Sequence, residues 1–124
     1  MSEHENINHL FQTPVFTQLA ERPFAHCATI TVMPDGEGLL AAWMGGAYET
    51  AQDVALLTAY KPSAEAPWSR PWVIAEVAGH SLGQPVFFHP PNPPNRPTDG
   101  ELWLFFVVIM GHDWTSAQIH WQRS

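Results

Sequence analysis

The side chains of this sequence best suited to moving protons are His26, Glu49 and Asp53. A neutral imidazole near pH 7 can take or give a proton, which makes His26 a candidate acid, base or ligand contact. Glu49 and Asp53 share a polar stretch that follows Gly45-Gly46. Two carboxylates flanking a glycosidic bond are the usual equipment for its hydrolysis. Trp43, just ahead of the glycine pair, offers an aromatic face of the kind that stacks on the apolar face of a sugar, and Trp114 offers another. Each residue also has a competing structural role. A histidine at a strand start often serves a hydrogen bond, carboxylates beside glycines cap turns, and tryptophans fill the space between sheets.

Sulfur and metal chemistry have weaker footing. Cys27 is the only cysteine, so neither an intramolecular disulfide nor a cysteine-rich metal site can form. No motif activates it as a nucleophile, and packing against a neighbouring strand is its expected role. His89, His112 and His120 with Asp113 invite a metal reading, but His112 and Asp113 are adjacent, which is not a spacing one element can present to an ion. No metal and no cofactor are expected.

Charge narrows the partners. Five Lys and Arg stand against twelve Asp and Glu, a net −7, so the basic footprint of a nucleic-acid binder is missing. The same charge opposes anionic membrane surfaces, and the longest apolar run, Leu102 to Gly111, falls far short of a membrane span. Met1 to Asn6 is polar and acidic, unlike a secretory signal, and a cytoplasmic location is the expectation. With 45% apolar and 14% charged residues, the 124-residue chain is expected to fold rather than remain disordered.

Positioning the candidates falls to strands. Ala25–Met33 reads as one, ended by Pro34-Asp35-Gly36, whose glycine accepts the positive φ of a turn. Leu39–Met44 is the second, released by Gly45-Gly46, and Asp53–Tyr60 the third. Thr50–Tyr60 is the one stretch with a helical alternative. Trp72–Val77 follows a proline-bounded connection that contains Trp68, and Pro85–His89 begins a new cycle. Pro90 to Pro97 cannot join a ladder because proline lacks the donor, and reads as a surface loop. Leu102–Met110 is wholly apolar and reads as a strand buried on both faces, and Gln118–Arg123 opens another. Thr98 to Phe106 echoes the earlier turn and strand, with Asp99 standing 64 residues after Asp35 (99 − 35).

These strings, in this order, resemble the sialidase-like, or bacterial-neuraminidase-repeat, propeller family. The shared elements are Pro34-Asp35-Gly36, Leu39-Leu40-Ala41-Ala42, Gln84 to Phe88, and Asp99-Gly100-Glu101-Leu102-Trp103-Leu104-Phe105. A divergent branch of the family is closer still, through His26, Thr29-Ile30, Trp43, Gly45-Gly46, Glu49 and Asp53-Val54. Ser63 to Trp68 is similar to a shortened Asp-box, the turn that gives the repeat its name. The resemblance covers roughly residues 24–124.

That resemblance implies an all-β fold, a partial β-propeller of about two four-stranded antiparallel blades out of six. It divides the chain into an arm at 1–23, a first blade at 24–80 and part of a second at 81–124. It also implies a protein that binds or hydrolyses a glycoside as an exo-acting glycosidase of sialidase type. In this frame Glu49 or Asp53 is the proton donor, His26 a ligand contact or catalyst, and Trp43, Gly45 and Gly46 line the substrate. Several departures fall on functional positions. His26 stands where the family's first arginine is usual, Trp43 and Met44 where the acid is usual, and Gly46 where another arginine is common. A non-catalytic carbohydrate-binding or protein-interaction propeller is the alternative. The family's later blades supply further arginines, the tyrosine nucleophile and its glutamate partner. An N-terminal piece without turnover of its own is therefore expected, associating through its bare sheet faces with further blades or with itself.

Overall fold

The computed structural model describes residues 12–91 and 100–124. Four strands form one antiparallel sheet in sequence order: β1 (Phe24–Val32), β2 (Leu39–Gly46), β3 (Ala55–Lys61) and β4 (Trp72–Ala75). Three more form a second: β5 (Leu82–Phe88), β6 (Trp103–Ile109) and β7 (Ala117–Arg123), the last entered through a single 3-10 turn at Trp114–Ser116. Two stacked meanders of this kind are the architecture of a partial propeller. The second sheet has three strands among the described residues, where the full repeat has four.

The strands form where β-branched and aromatic residues alternate with smaller ones, and stop where turn chemistry intervenes. Asp35 ends β1 by accepting the amides of Glu37 and Gly38 at 2.9 and 3.4 Å, while Gly36 takes φ +81°. In the turn after β3 the Ala66 amide donates to the carbonyl and hydroxyl of Ser63, both at 3.3 Å. The expected third strand begins at Ala55 rather than Asp53, because Asp53 is engaged in the preceding loop. The expected strand at Pro85–His89 moves the other way, and β5 starts at Leu82. A bulge between Gly83 and Val86 admits Pro85 without breaking a ladder bond. Most of the proline-rich stretch, and Asp99, lie outside the described residues, as do residues 1–11 of the expected arm.

Both inner strands of the first sheet are buried on two sides, so β2 and β3 read as continuous apolar runs. On one side Met44, Val54, Leu56 and Ala75 meet Leu82, Leu104, Phe106 and Val108 of the second sheet. Burying side chains of the size of Met44 or Leu56 fully stabilises by about 1.5–3 kcal/mol each. On the other side Ala41, Trp43, Leu57 and Ala59 are covered by Val15, Phe16, Leu19 and Trp68. The first sheet's back is thus closed by the segment that precedes it.

The second sheet has one face in the core and one uncovered. Leu104, Phe106 and Val108 point inward, while Trp103, Phe105 and Val107 lie half-buried on the other side. This corrects the expectation of a strand buried on both faces. Val86 and Phe88 on β5, and Ile119 and Trp121 on β7, extend the outer face, Ile119 and Trp121 being 78% and 51% exposed. Trp103 packs there against Trp121 and Phe88, with centroids 4.9 and 5.6 Å apart. Tryptophan therefore does not fill the space between the two sheets; aliphatic residues and Phe106 do.

The two sheets share one local device. Each first strand carries a bulge at the same register step, between His26 and Thr29 in β1 and between Gly83 and Val86 in β5. In each the residue after the last regular pair is left-handed without being glycine, Cys27 at φ +55° and Gln84 at φ +54°. Their separation is 57 residues (84 − 27), against 64 for the aspartates, and the difference falls between β5 and β6.

Candidate functional site

Antiparallel pairing sets Phe24 against Gly46, Ala25 against Gly45 and His26 against Met44. The start of β1 and the end of β2 therefore meet at one end of the sheet, and the loop 47–53 springs from that end. β5 arrives at the same place, its Leu82 amide donating to the Val54 carbonyl at 3.0 Å. Sequence order thus converges His26, Gly45, Gly46, Glu49 and Asp53 on one rim.

Arg22, passed over in the sequence, organises that rim. Its Nη1 donates to the carbonyls of Asp53 at 2.6 Å and Gly45 at 3.2 Å, and its Nη2 lies 3.6 Å from Glu76. One planar guanidinium thereby joins the entry of β1 to the exit of β2 and to the loop's far end, a geometry a point-charge ammonium cannot copy. The signal available in the sequence was a cation immediately before Pro23, in a chain that has five in all. A shallow cavity of about 320 Å³ opens beside Arg22, Asp53 and Glu76.

Asp53 acts locally. Its Oδ1 accepts the Ala47 amide at 3.1 Å, closing the loop across its neck. The carboxylate needs Gly46 to be bare, since a Cβ there would stand 2.9 Å from Oδ1 and 2.8 Å from Val54 Cγ2. Glu49 is exposed near the loop's apex, its carboxylate without a hydrogen-bond partner among the described residues. The two carboxylates therefore differ: one holds the loop, and the other is presented by it.

His26 is exposed, and its ring meets Phe24 edge-on with centroids 5.8 Å apart. Residues directly opposite on antiparallel strands share a face, so His26 stands on the side of the sheet that carries Met44. Trp43 belongs to the other side. It is 4% exposed and stacked on Phe16, centroids 4.8 Å apart and planes 14° from parallel. Backbone and side chain of this region, Phe16, His26, Cys27 and Trp43 among them, border a shallow cavity of about 340 Å³. Trp43 thus has its broad ring face occupied by Phe16.

Cys27 and Asp113 make local contacts away from the rim loop. Cys27 is half-buried at the edge of the inter-sheet core. Asp113 caps the 3-10 turn, accepting the Thr115 amide at 3.0 Å as well as its hydroxyl, and these bonds hold its carboxyl below the usual carboxylate value. Among the described residues no three His, Cys, Asp or Glu gather as a metal site would require. No described helix is long and apolar enough to cross a membrane.

Comparison with known proteins agrees with this architecture. The family model described as a BNR repeat-like domain matches residues 37–124, from the end of the first turn through β7. No curated protein and no solved structure matches the chain.

Proposed function

The chain belongs to the BNR repeat-like family, and on that premise we propose that it binds a glycoside at the rim formed by the start of β1, the end of β2 and the loop 47–53. The observation that carries this reading is the pinned loop. Arg22 and Asp53 fix its two ends, and Glu49 stands exposed between them with no partner among the described residues. Rigid support beneath an unengaged carboxylate is the arrangement a general acid needs, because reaction geometry must be held before substrate arrives. Glu49 is then the proton donor in hydrolysis and His26 a ligand contact. Asp53 positions the loop, and the backbone at Gly45-Gly46 admits close approach of the sugar.

A second reading, a carbohydrate-binding or protein-interaction module without catalysis, has its own support. With Asp53 engaged by Ala47, the rim offers one unengaged carboxylate instead of the pair that glycoside hydrolysis uses. In either reading the uncovered face of the second sheet takes a further blade or a second copy, since propeller sheets are stabilised face to face.

The test is calorimetric titration of the full chain with N-acetylneuraminic acid and with D-glucuronic acid, alongside hydrolysis of fluorogenic sialoside and glucuronide. The expected outcome is binding weakened about tenfold by His26→Ala, as for a lost hydrogen bond to a charged group. If hydrolysis is seen, Glu49→Gln removes it while leaving binding within about threefold. Binding without hydrolysis selects the module reading. Absence of both contradicts the glycoside assignment.

A further inference from the structure

The bulge of β5 repeats the bulge of β1, and what surrounds it differs in a directed way. In β1 the residue before the left-handed position is His26; in β5 it is Gly83. The six-membered ring of Trp114 occupies the space a side chain at 83 would need. A Cβ there would come within 2.6 Å of Trp114 Cη2, 2.9 Å of Cζ3 and 3.2 Å of Met44 Cε. Met44 is the residue opposite His26 and shares its face. Through Met44 and Gly83, then, the histidine of the first sheet and the indole from the second sheet's 3-10 turn come to the same end of the molecule.

Gln84 completes the set. It is exposed, and its backbone is held at φ +54°, a conformation that a residue with a side chain adopts only where the surroundings enforce it. Bulges re-aim side chains, and left-handed non-glycine residues concentrate at functional sites. Nothing in the packing needs the carboxamide: no described residue accepts or donates a hydrogen bond to it. Trp114 is 37% exposed, a large aromatic left open to solvent at its cap.

We infer that Trp114 and Gln84 form the second sheet's half of the glycoside site, Trp114 stacking on the apolar face of a pyranose ring and the Gln84 carboxamide hydrogen-bonding its hydroxyl or carboxylate oxygens. The inference rests on the glycoside reading and adds to it a second wall, at the same end of the molecule as His26 and Glu49. An aromatic face set beside a two-way hydrogen-bonding amide suits a ring with one apolar face and a polar edge.

Gln84→Gly separates this role from a structural one. Glycine relieves the left-handed backbone, so the melting temperature holds or rises whichever role is true. If Gln84 contacts sugar, the same variant binds N-acetylneuraminic acid or D-glucuronic acid about tenfold more weakly in calorimetry of the full chain. Trp114→Ala is expected to weaken binding by a similar factor. Trp114→Phe, which keeps a ring over Gly83, restores most of it and guards against loss of fold. Wild-type affinity in Gln84→Gly and in Trp114→Ala, with affinity lost in His26→Ala, overturns the second wall and leaves the glycoside reading standing. If neither sugar binds the unaltered chain at millimolar concentration, both fall together.

Discussion

Replacing Arg22 with leucine removes a guanidinium that ties the segment entering β1 to β2's exit and to the loop 47–53. The guanidinium donates to two carbonyls, at 2.6 and 3.2 Å, and Gly45, which carries one of them, is buried. Hydrogen bonds from a charged donor contribute about 1.5–3 kcal/mol each. The longer bond and the 21% exposure of the side chain place the pair at or below the lower limit of that range, about 2–3 kcal/mol together. The contact with Glu76, whose side chain is 61% exposed, adds at most a few tenths of a kcal/mol, as exposed ion pairs do. Arg22→Leu should therefore lower the urea-unfolding free energy by about 2–3 kcal/mol, and Arg22→Lys by about half as much, because one ammonium reaches one carbonyl well. Glu76→Ala should cost under about 0.5 kcal/mol. Amide exchange in residues 47–53 should accelerate in Arg22→Leu before the rest of the sheet responds. Stability within about 0.5 kcal/mol of the parent chain, or a Glu76→Ala loss as large as that of Arg22→Leu, would refute the claim that the carbonyl bonds organise the rim.

Other expectations follow from the same geometry. Gly83→Val should destabilise by about 1–3 kcal/mol through overpacking against Trp114, measured by thermal melting, whereas Gly83→Ala should cost less. Cys27→Gly should leave the melting temperature unchanged or raise it, since glycine accepts φ +55° without strain. Ile119→Glu on the uncovered face should reduce light scattering and apparent mass in sedimentation with no loss of secondary structure, whereas an unchanged mass would argue against association through that face. For Asp113 the folded carboxyl sits below its ordinary value, so its stabilising contribution is complete above the ordinary carboxylate pKa and fades as pH falls through the lower folded value. Asp113→Asn should flatten that acid limb of the melting-temperature profile.

Much of the fold could be read from residue order. Pro34-Asp35-Gly36 and the Leu39–Met44 run follow directly from turn chemistry and strand periodicity, and β1 and β2 lie within two residues of where these signals put them. What stayed hidden was set by tertiary contact. The bulge that moves the start of β5 to Leu82 depends on a left-handed glutamine, a residue no propensity would select for that role. The loss of the start of β3 to Asp53 depends on an amide six residues away, and the role of Arg22 on two carbonyls more than twenty residues distant. For the same reason composition could count six tryptophans but not sort them. Trp43 is covered by Phe16, Trp103 and Trp121 face outward, and Trp114 closes on Gly83. At the rim, residue types named His26, Glu49 and Asp53 as proton-moving groups, but only the hydrogen bonds distinguish the carboxylate that holds the loop from the one it presents.

Mapping where a sugar lands tests the glycoside site at the rim most directly. Amide and indole chemical shifts of the isotopically labelled full chain, followed while N-acetylneuraminic acid or D-glucuronic acid is added, report this residue by residue. The prediction is that perturbations concentrate at residues 24–26, 45–53 and 83–84, with the Trp114 indole among them. Perturbations confined to the face of Phe88, Trp103 and Trp121, or none at saturating sugar, would contradict a glycoside site at the rim.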